Sequence, residues 1–241
     1  ILGSLLGAGI ALGLFALALC ARLPHLDRES LWEDDWLALD RSSMPLADMA
    51  AIQQRIGPAR TTYDYQPPLY YAVEHAALGI SHSVFAAKLP GVLAGALTAA
   101  VLFFLGRSLF STGAGLAGGL LLAGCLYHVN ASRSIKVYAL LLLFFTASQL
   151  ALWTALRRGR TGPWLLYAAL AAALPYISYI GLPAVGAQAL VGAAFLFAHR
   201  RDVPGLPESA PTDRGRVLRA TAGFALAAAA YLPWLPGLLF I

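Results

Sequence analysis

Seven stretches of this chain are apolar for about the thickness of a bilayer, and that pattern leaves few folds open. They are residues 1–23, 84–106, 113–129, 137–156, 163–181, 183–198 and 219–240. A helix needs roughly 20 apolar residues to cross the hydrocarbon core, with a usual range of about 17–25. Charged residues are 12% of the chain, about half the share in a soluble domain. A soluble enzyme and a disordered tail are excluded. Two cysteines cannot make a disulfide framework. The expected fold class is an all-α polytopic membrane protein, one module over 1–241, with about seven transmembrane helices. Ile1 opens inside one apolar run and Ile241 closes inside another. The expectation is a piece of a longer protein whose C-terminal part lies beyond it. No basic segment precedes the first run, as a signal peptide would require, so 1–23 is expected to be a retained span.

Charge orients the spans. Nine of the twelve acidic residues lie between Asp27 and Glu74, inside the long polar stretch 24–83. Arg107, the group Arg157, Arg158 and Arg160, and the group in 199–218 with Arg219 lie elsewhere. Basic residues near helix ends favour the cytoplasmic side. With 24–83 outside and 199–218 inside, these nine cations fall inside. The protein is then expected in the plasma (bacterial inner) membrane, multi-pass, with its working side outward. Residues 163–198 contain Pro175, Gly181 and Pro183 and are read as two short helices turning at the outer face.

The outer loop carries two further helix signals. Ser42, Ser43, Pro45 and Asp48 suit a helix start, and Met49, Ile52 and Ile56 recur at helical spacing before Gly57-Pro58. A juxtamembrane amphipathic helix is expected over 44–56. Pro67-Pro68 opens a second, over 68–80, with Leu69, Val73, Ala76, Ala77 and Ile80 as its apolar face and Glu74 and His75 on the wetter side.

Two clusters can carry chemistry. Leu31-Trp32-Glu33-Asp34-Asp35-Trp36 places three consecutive carboxylates between two tryptophans beyond the first span. Crowded carboxylates repel, which suits a general base. The competing reading is a solvated acidic turn with tryptophans at the interface. His128 to Tyr138 forms an outer turn holding Arg133 and Lys136, cations on the side that disfavours them. At the N-terminus of the next span they can bind a lipid phosphate, or they can snorkel to headgroups. Cys20 and Cys125 are read as buried small apolar residues ahead of a disulfide. The histidines show no metal-ligand spacing, and no nucleic-acid signature is present. Helices after the first carry almost no mid-membrane charge, which argues against an ion-coupled transporter.

In order along the chain, these elements resemble the GT-C superfamily of membrane glycosyltransferases, in the branch of the dolichyl-phosphate-mannose protein mannosyltransferases and the lipid A aminoarabinose transferase. The matching elements are Leu31 to Asp35, Gln66-Pro67-Pro68-Leu69-Tyr70-Tyr71, Lys88-Leu89-Pro90-Gly91, Ser132 to Leu140, and Tyr231 to Pro236. The resemblance implies a GT-C-like fold and an inverting hexosyl- or pentosyltransferase. It would move sugar from a polyprenyl-phosphate donor to a lipid, glycan or protein acceptor at the outer membrane face. It implies Asp34 as general base with Asp35 beside it, and Arg133, Lys136 and Tyr138 at the donor phosphate. Trp32, Glu33, Tyr65, Gln66 and Tyr70 would line the cavity. No nucleotide cofactor or nucleic acid is implied, and the three acids leave a divalent cation open. Asp35 stands where the family has Glu, Gln66 where it has His, and Lys136 where it has Arg. The last exchange removes bidentate phosphate geometry. The other reading left open is a membrane protein that binds the carrier lipid without transfer, or a transporter.

Overall fold

The computed structural model describes residues 2–28, 30–49, 67–198 and 213–235. Among them all regular structure is helical: α1 (Leu2–Arg22), α2 (Glu33–Ser42), α3 (Pro68–Leu78), α4 (Val84–Leu109), α5 (Thr112–Gly124), α6 (Leu126–Arg133), α7 (Tyr138–Arg158), α8 (Thr161–Ile177), α9 (Gly181–Ala198) and α10 (Asp213–Tyr231), with a 3-10 turn at Leu232–Trp234. At ~1.5 Å per residue, the 21 residues of α1 and of α7 each cover about 30 Å, the thickness of a hydrocarbon core. These two, α4, and α10 with its 3-10 extension are long and apolar enough to cross a membrane. The pair α5 and α6, bent by 57° at Cys125, makes a fifth when taken as one span. Helices α8 and α9 are apolar but shorter.

Local signals set the boundaries. Ser83 accepts from the Ala86 amide at 3.2 Å and starts α4; Ser111 accepts from Ala114 at 3.1 Å and starts α5. Each side chain satisfies one of the amides a helix start leaves unpaired.

Small residues let the spans approach. A Cβ on Gly106 would lie 2.8 Å from the Cα of Gly115, so α4 and α5 meet backbone to backbone. Small surfaces of this kind drive packing where lipid removes any hydrophobic difference between partners. One core joins Ala18, Ala96, Ala99 and Ala123 of α1, α4 and α5. A second joins Ala151, Leu152, Trp164, Tyr167 and Ala220 of α7, α8 and α10. Buried Gln188 of α9 donates to Ser148 of α7 at 2.8 Å. Tyr176 of α8 donates to the Ala230 carbonyl at 2.8 Å.

The two ends of the bundle differ. Arg107 donates to the Gly3 carbonyl, and Arg157 reaches the Ser108 carbonyl, so these two arginines lie where α1 begins and α4 ends. Helices α2 and α3 and the 134–137 turn gather at the opposite end.

Four expectations are corrected. The stretch from Glu33 is a helix rather than a turn, because the acids sit at its N-terminus, where the backbone dipole favours them. Helix α3 is rotated from its expected face. It buries Tyr70, Tyr71, Glu74 and Leu78 and leaves Ile80 exposed. Two tyrosines bury more area than the Val and Ala side chains of the expected face, and they carry Glu74 inward with them. Cys20 and Cys125 are exposed and not joined. Helix α10 starts at Asp213, inside the expected inner loop. Of the expected helix 44–56, residues 46–49 are helical; the rest lies outside the described residues, as do Tyr65 and Gln66.

Candidate active site

Helix α2 begins with three acids whose surroundings differ. Asp35 is buried and its carboxylate is fully engaged. One oxygen accepts from the Trp32 amide at 3.1 Å, capping the helix start. The other accepts from the Ile135 amide at 3.0 Å, tying α2 to the turn before α7. The Asp34 side chain is 70% exposed and pairs with Lys136 Nζ at 2.7 Å. Glu33 is exposed. One residue of helical rotation, about 100°, separates a carboxylate that holds the fold from one that faces outward.

Lys136 comes from the same turn. Its side chain is 28% exposed, so the ion pair is half-screened by solvent and contributes at most about 1 kcal/mol to stability. Such a pair opens cheaply for a competing anion. Tyr138, the first residue of α7, is exposed. Trp32, just before α2, and Trp36, in its first turn, stand exposed, Trp32 at 79%.

Arg133 ends α6 rather than starting α7. Its guanidinium donates to the carbonyls of Arg22 at 2.9 Å and Pro24 at 2.8 Å. A cation there answers the negative end of the α1 dipole. The structure thus brings Asp34, Asp35 and Lys136 together and turns Arg133 toward the end of α1.

Behind Asp35 lies a buried polar layer. Tyr70 is buried edge-to-face against Tyr71 at 5.4 Å. Arg41 of α2 stacks over the Tyr71 ring at 4.2 Å. The His75 ring meets the Ser42 carbonyl at 2.8 Å, joining α3 to the end of α2. Glu74 is only 1% exposed. Burial pushes its carboxyl up to about 8; the charge of Asp35 pushes the same way, and the Tyr70 hydroxyl pulls part of it back. Glu74 and Arg41 were missed by sequence reasoning, as was Arg22. A surface assignment of α3 hid Glu74. No motif marked Arg41.

Among the described residues no three His, Cys, Asp or Glu side chains converge on a point that could hold a metal ion. The carboxylates of Asp34 and Asp35 diverge toward different partners.

The helices define a multi-pass, all-α membrane protein with an acid–cation cluster at one end. The model of the dolichyl-phosphate-mannose-protein mannosyltransferase family matches residues 65–205, and the chain belongs to that family. Membership makes it a membrane glycosyltransferase of the kind that draws sugar from a polyprenyl-phosphate donor. No curated protein matches the chain. Arg133, Lys136 and Tyr138 lie within the matched stretch; Asp34 and Asp35 precede it.

Proposed function

We propose that the chain carries the acid–cation site of an inverting glycosyltransferase working at the outer face of the plasma membrane. The observation that supports this most is the Asp34–Lys136 pair at 2.7 Å, an exposed carboxylate held by a cation that a phosphate can claim. When the donor's phosphate enters, it competes for Lys136. Lys136 then faces the leaving group and Asp34 is released.

The acceptor hydroxyl oxygen attacks the anomeric carbon from the side opposite the phosphate. Its proton passes to Asp34. The carbon–oxygen bond to phosphate breaks, and the electron pair leaves with the phosphate oxygen, where Lys136 stabilises the charge; a part for Arg133 there rests on the family resemblance and needs its guanidinium to leave the end of α1. Asp35 orients the first turn of α2 and takes no proton in this scheme. Tyr138 and Trp32 are exposed near the pair and flank the entering sugar and lipid; for Glu33, Tyr65, Gln66 and Tyr70 a place along the cavity rests on the family resemblance alone. The acceptor is a hydroxyl-bearing lipid, glycan or protein.

The test is turnover of a radiolabelled polyprenyl-phosphate sugar by the full chain in proteoliposomes, wild type against Asp34→Asn. Loss of turnover with retained donor binding supports Asp34 as base. Equal turnover removes it from the chemistry. Donor binding without turnover in the wild type favours the non-catalytic lipid-binding reading.

A further inference from the structure

Arg22, the last residue of α1, is fully buried and has no carboxylate among its hydrogen-bond partners. Its Nε donates to Ser132 Oγ at 3.2 Å. One terminal nitrogen donates to the Ala18 carbonyl at 2.8 Å and the Ala123 carbonyl at 3.2 Å. The other donates to the Leu122 carbonyl at 3.4 Å and meets His128 Nδ1 at 2.9 Å. A guanidinium has five N–H donors and no acceptor, so every donor is used. The His128 ring must accept at Nδ1 and keep its proton on Nε2.

These partners sit at one place in the fold. Leu122 and Ala123 are in the last turn of α5, just before the 57° bend at Cys125. A bend weakens the helical pairing of the carbonyls beside it: Leu122 keeps only a long bond from the Cys125 amide, at 3.4 Å, and Arg22 adds donors to it and to Ala123. Ser132 and His128 belong to α6. Arg133 then returns the contact, donating to the Arg22 carbonyl itself. Two arginines cross-bolt the end of α1 to α6. Two and three positions beyond Arg133 are Ile135, which binds Asp35, and Lys136, which binds Asp34. Helix α4 leaves room for this joint. A Cβ on Gly91 would lie 2.7 Å from the Ser132 carbonyl oxygen, and one on Gly95 would collide with Ser132 Oγ and lie 2.9 Å from Arg22 Nε.

We propose that Arg22 is a positioning residue for the reaction: it fixes the α5–α6 bend, and through α6 it sets where Lys136 meets the donor phosphate. This rests on the donor-phosphate reading given above. Lysine, with three donors on a flexible stem, cannot replace the planar five-point joint.

The test has two readouts on the full chain in proteoliposomes. In kinetics, Arg22→Lys is expected to raise the donor KM about tenfold while kcat stays near wild type, since each charge-assisted hydrogen bond lost is of that order. In a Lys136→Ala background the same substitution should add almost nothing, because it acts through Lys136. Independent, multiplying effects overturn the proposal. Ser132→Ala, which removes one acceptor, should give the same pattern more weakly, and it serves if Arg22→Lys does not fold. The second readout needs no turnover, so it decides the matter if the wild type proves inactive. Nitroxide labels at Trp36→Cys on α2 and Tyr127→Cys on α6, with Cys20 and Cys125 changed to Ala, should give a narrow distance distribution that broadens in Arg22→Lys or Ser132→Ala. An unchanged distribution overturns the proposal.

Discussion

The Asp35 carboxylate accepts the amide of Ile135 at 3.0 Å across 100 residues of sequence. With its second oxygen on the Trp32 amide, this one side chain holds the start of α2 to the turn before α7. Removing it leaves two backbone amides to find new partners, at about 1–3 kcal/mol for a buried donor. Asp35→Ala should therefore unfold at lower temperature in nanodiscs and also lose donor turnover. Asp35→Asn, which can still accept one amide, should recover part of both.

Lys136 separates stability from activity. The half-exposed pair with Asp34 contributes about 0–1 kcal/mol, so Lys136→Ala should melt within a few degrees of wild type. Donor binding, measured with a radiolabelled polyprenyl-phosphate sugar, should weaken about tenfold or more, since a hydrogen bond to a charged group contributes about 1.5–3 kcal/mol. Lys136→Arg should restore binding.

Glu74 gives the fold a pH dependence. Its carboxyl is raised to about 8 when folded and returns to its ordinary value near 4.5 when unfolded. Below about 4.5 both states are protonated and the stability is complete. As pH rises from there to about 8, the unfolded state ionises first and stability falls. Glu74→Gln should leave the melting temperature unchanged near pH 4.5 and raise it above wild type at pH 8. A constant difference between the two proteins across that window would exclude burial of the carboxyl as the cause.

Gly91 tests the seat of the end of α6 and the 134–137 turn. A methyl group there meets the Ser132 carbonyl oxygen at 2.7 Å, and backbone must move to admit it. Overpacking of this kind costs about 1–3 kcal/mol. Gly91→Ala should lower thermal stability and donor affinity together. Gly186→Ala, at a glycine with open space around it, should change neither.

Much of the architecture was legible because lipid imposes a long apolar run on every span. Among the described residues, each of the seven expected runs contains helix. Four of the runs, or five with the bent pair, reach span length. The bend at Cys125 was hidden because 113–126 is an unbroken apolar run; the Arg22 donor beside it, on the Leu122 carbonyl, comes from a hundred positions away. Arg22 itself looked like an ordinary cation at a helix end, since sequence cannot distinguish a guanidinium in headgroups from one enclosed by carbonyls. Helix α2 has too few apolar residues to show a period, and its start is set by Asp35 reaching back to Trp32. Proximity of Asp34 to Lys136 depends on where α6 ends, which only the packed bundle determines.

The joint at Arg22 also constrains how the protein is made. Its acceptors at Leu122, Ala123, His128 and Ser132 are synthesised about a hundred residues later, roughly 5–20 s at ribosomal rates. During that interval α1 carries a guanidinium at its end with no protein acceptor but the Ala18 carbonyl. The first span must wait at the membrane boundary, where water can reach that charge, and it settles only when α5 and α6 arrive to enclose it.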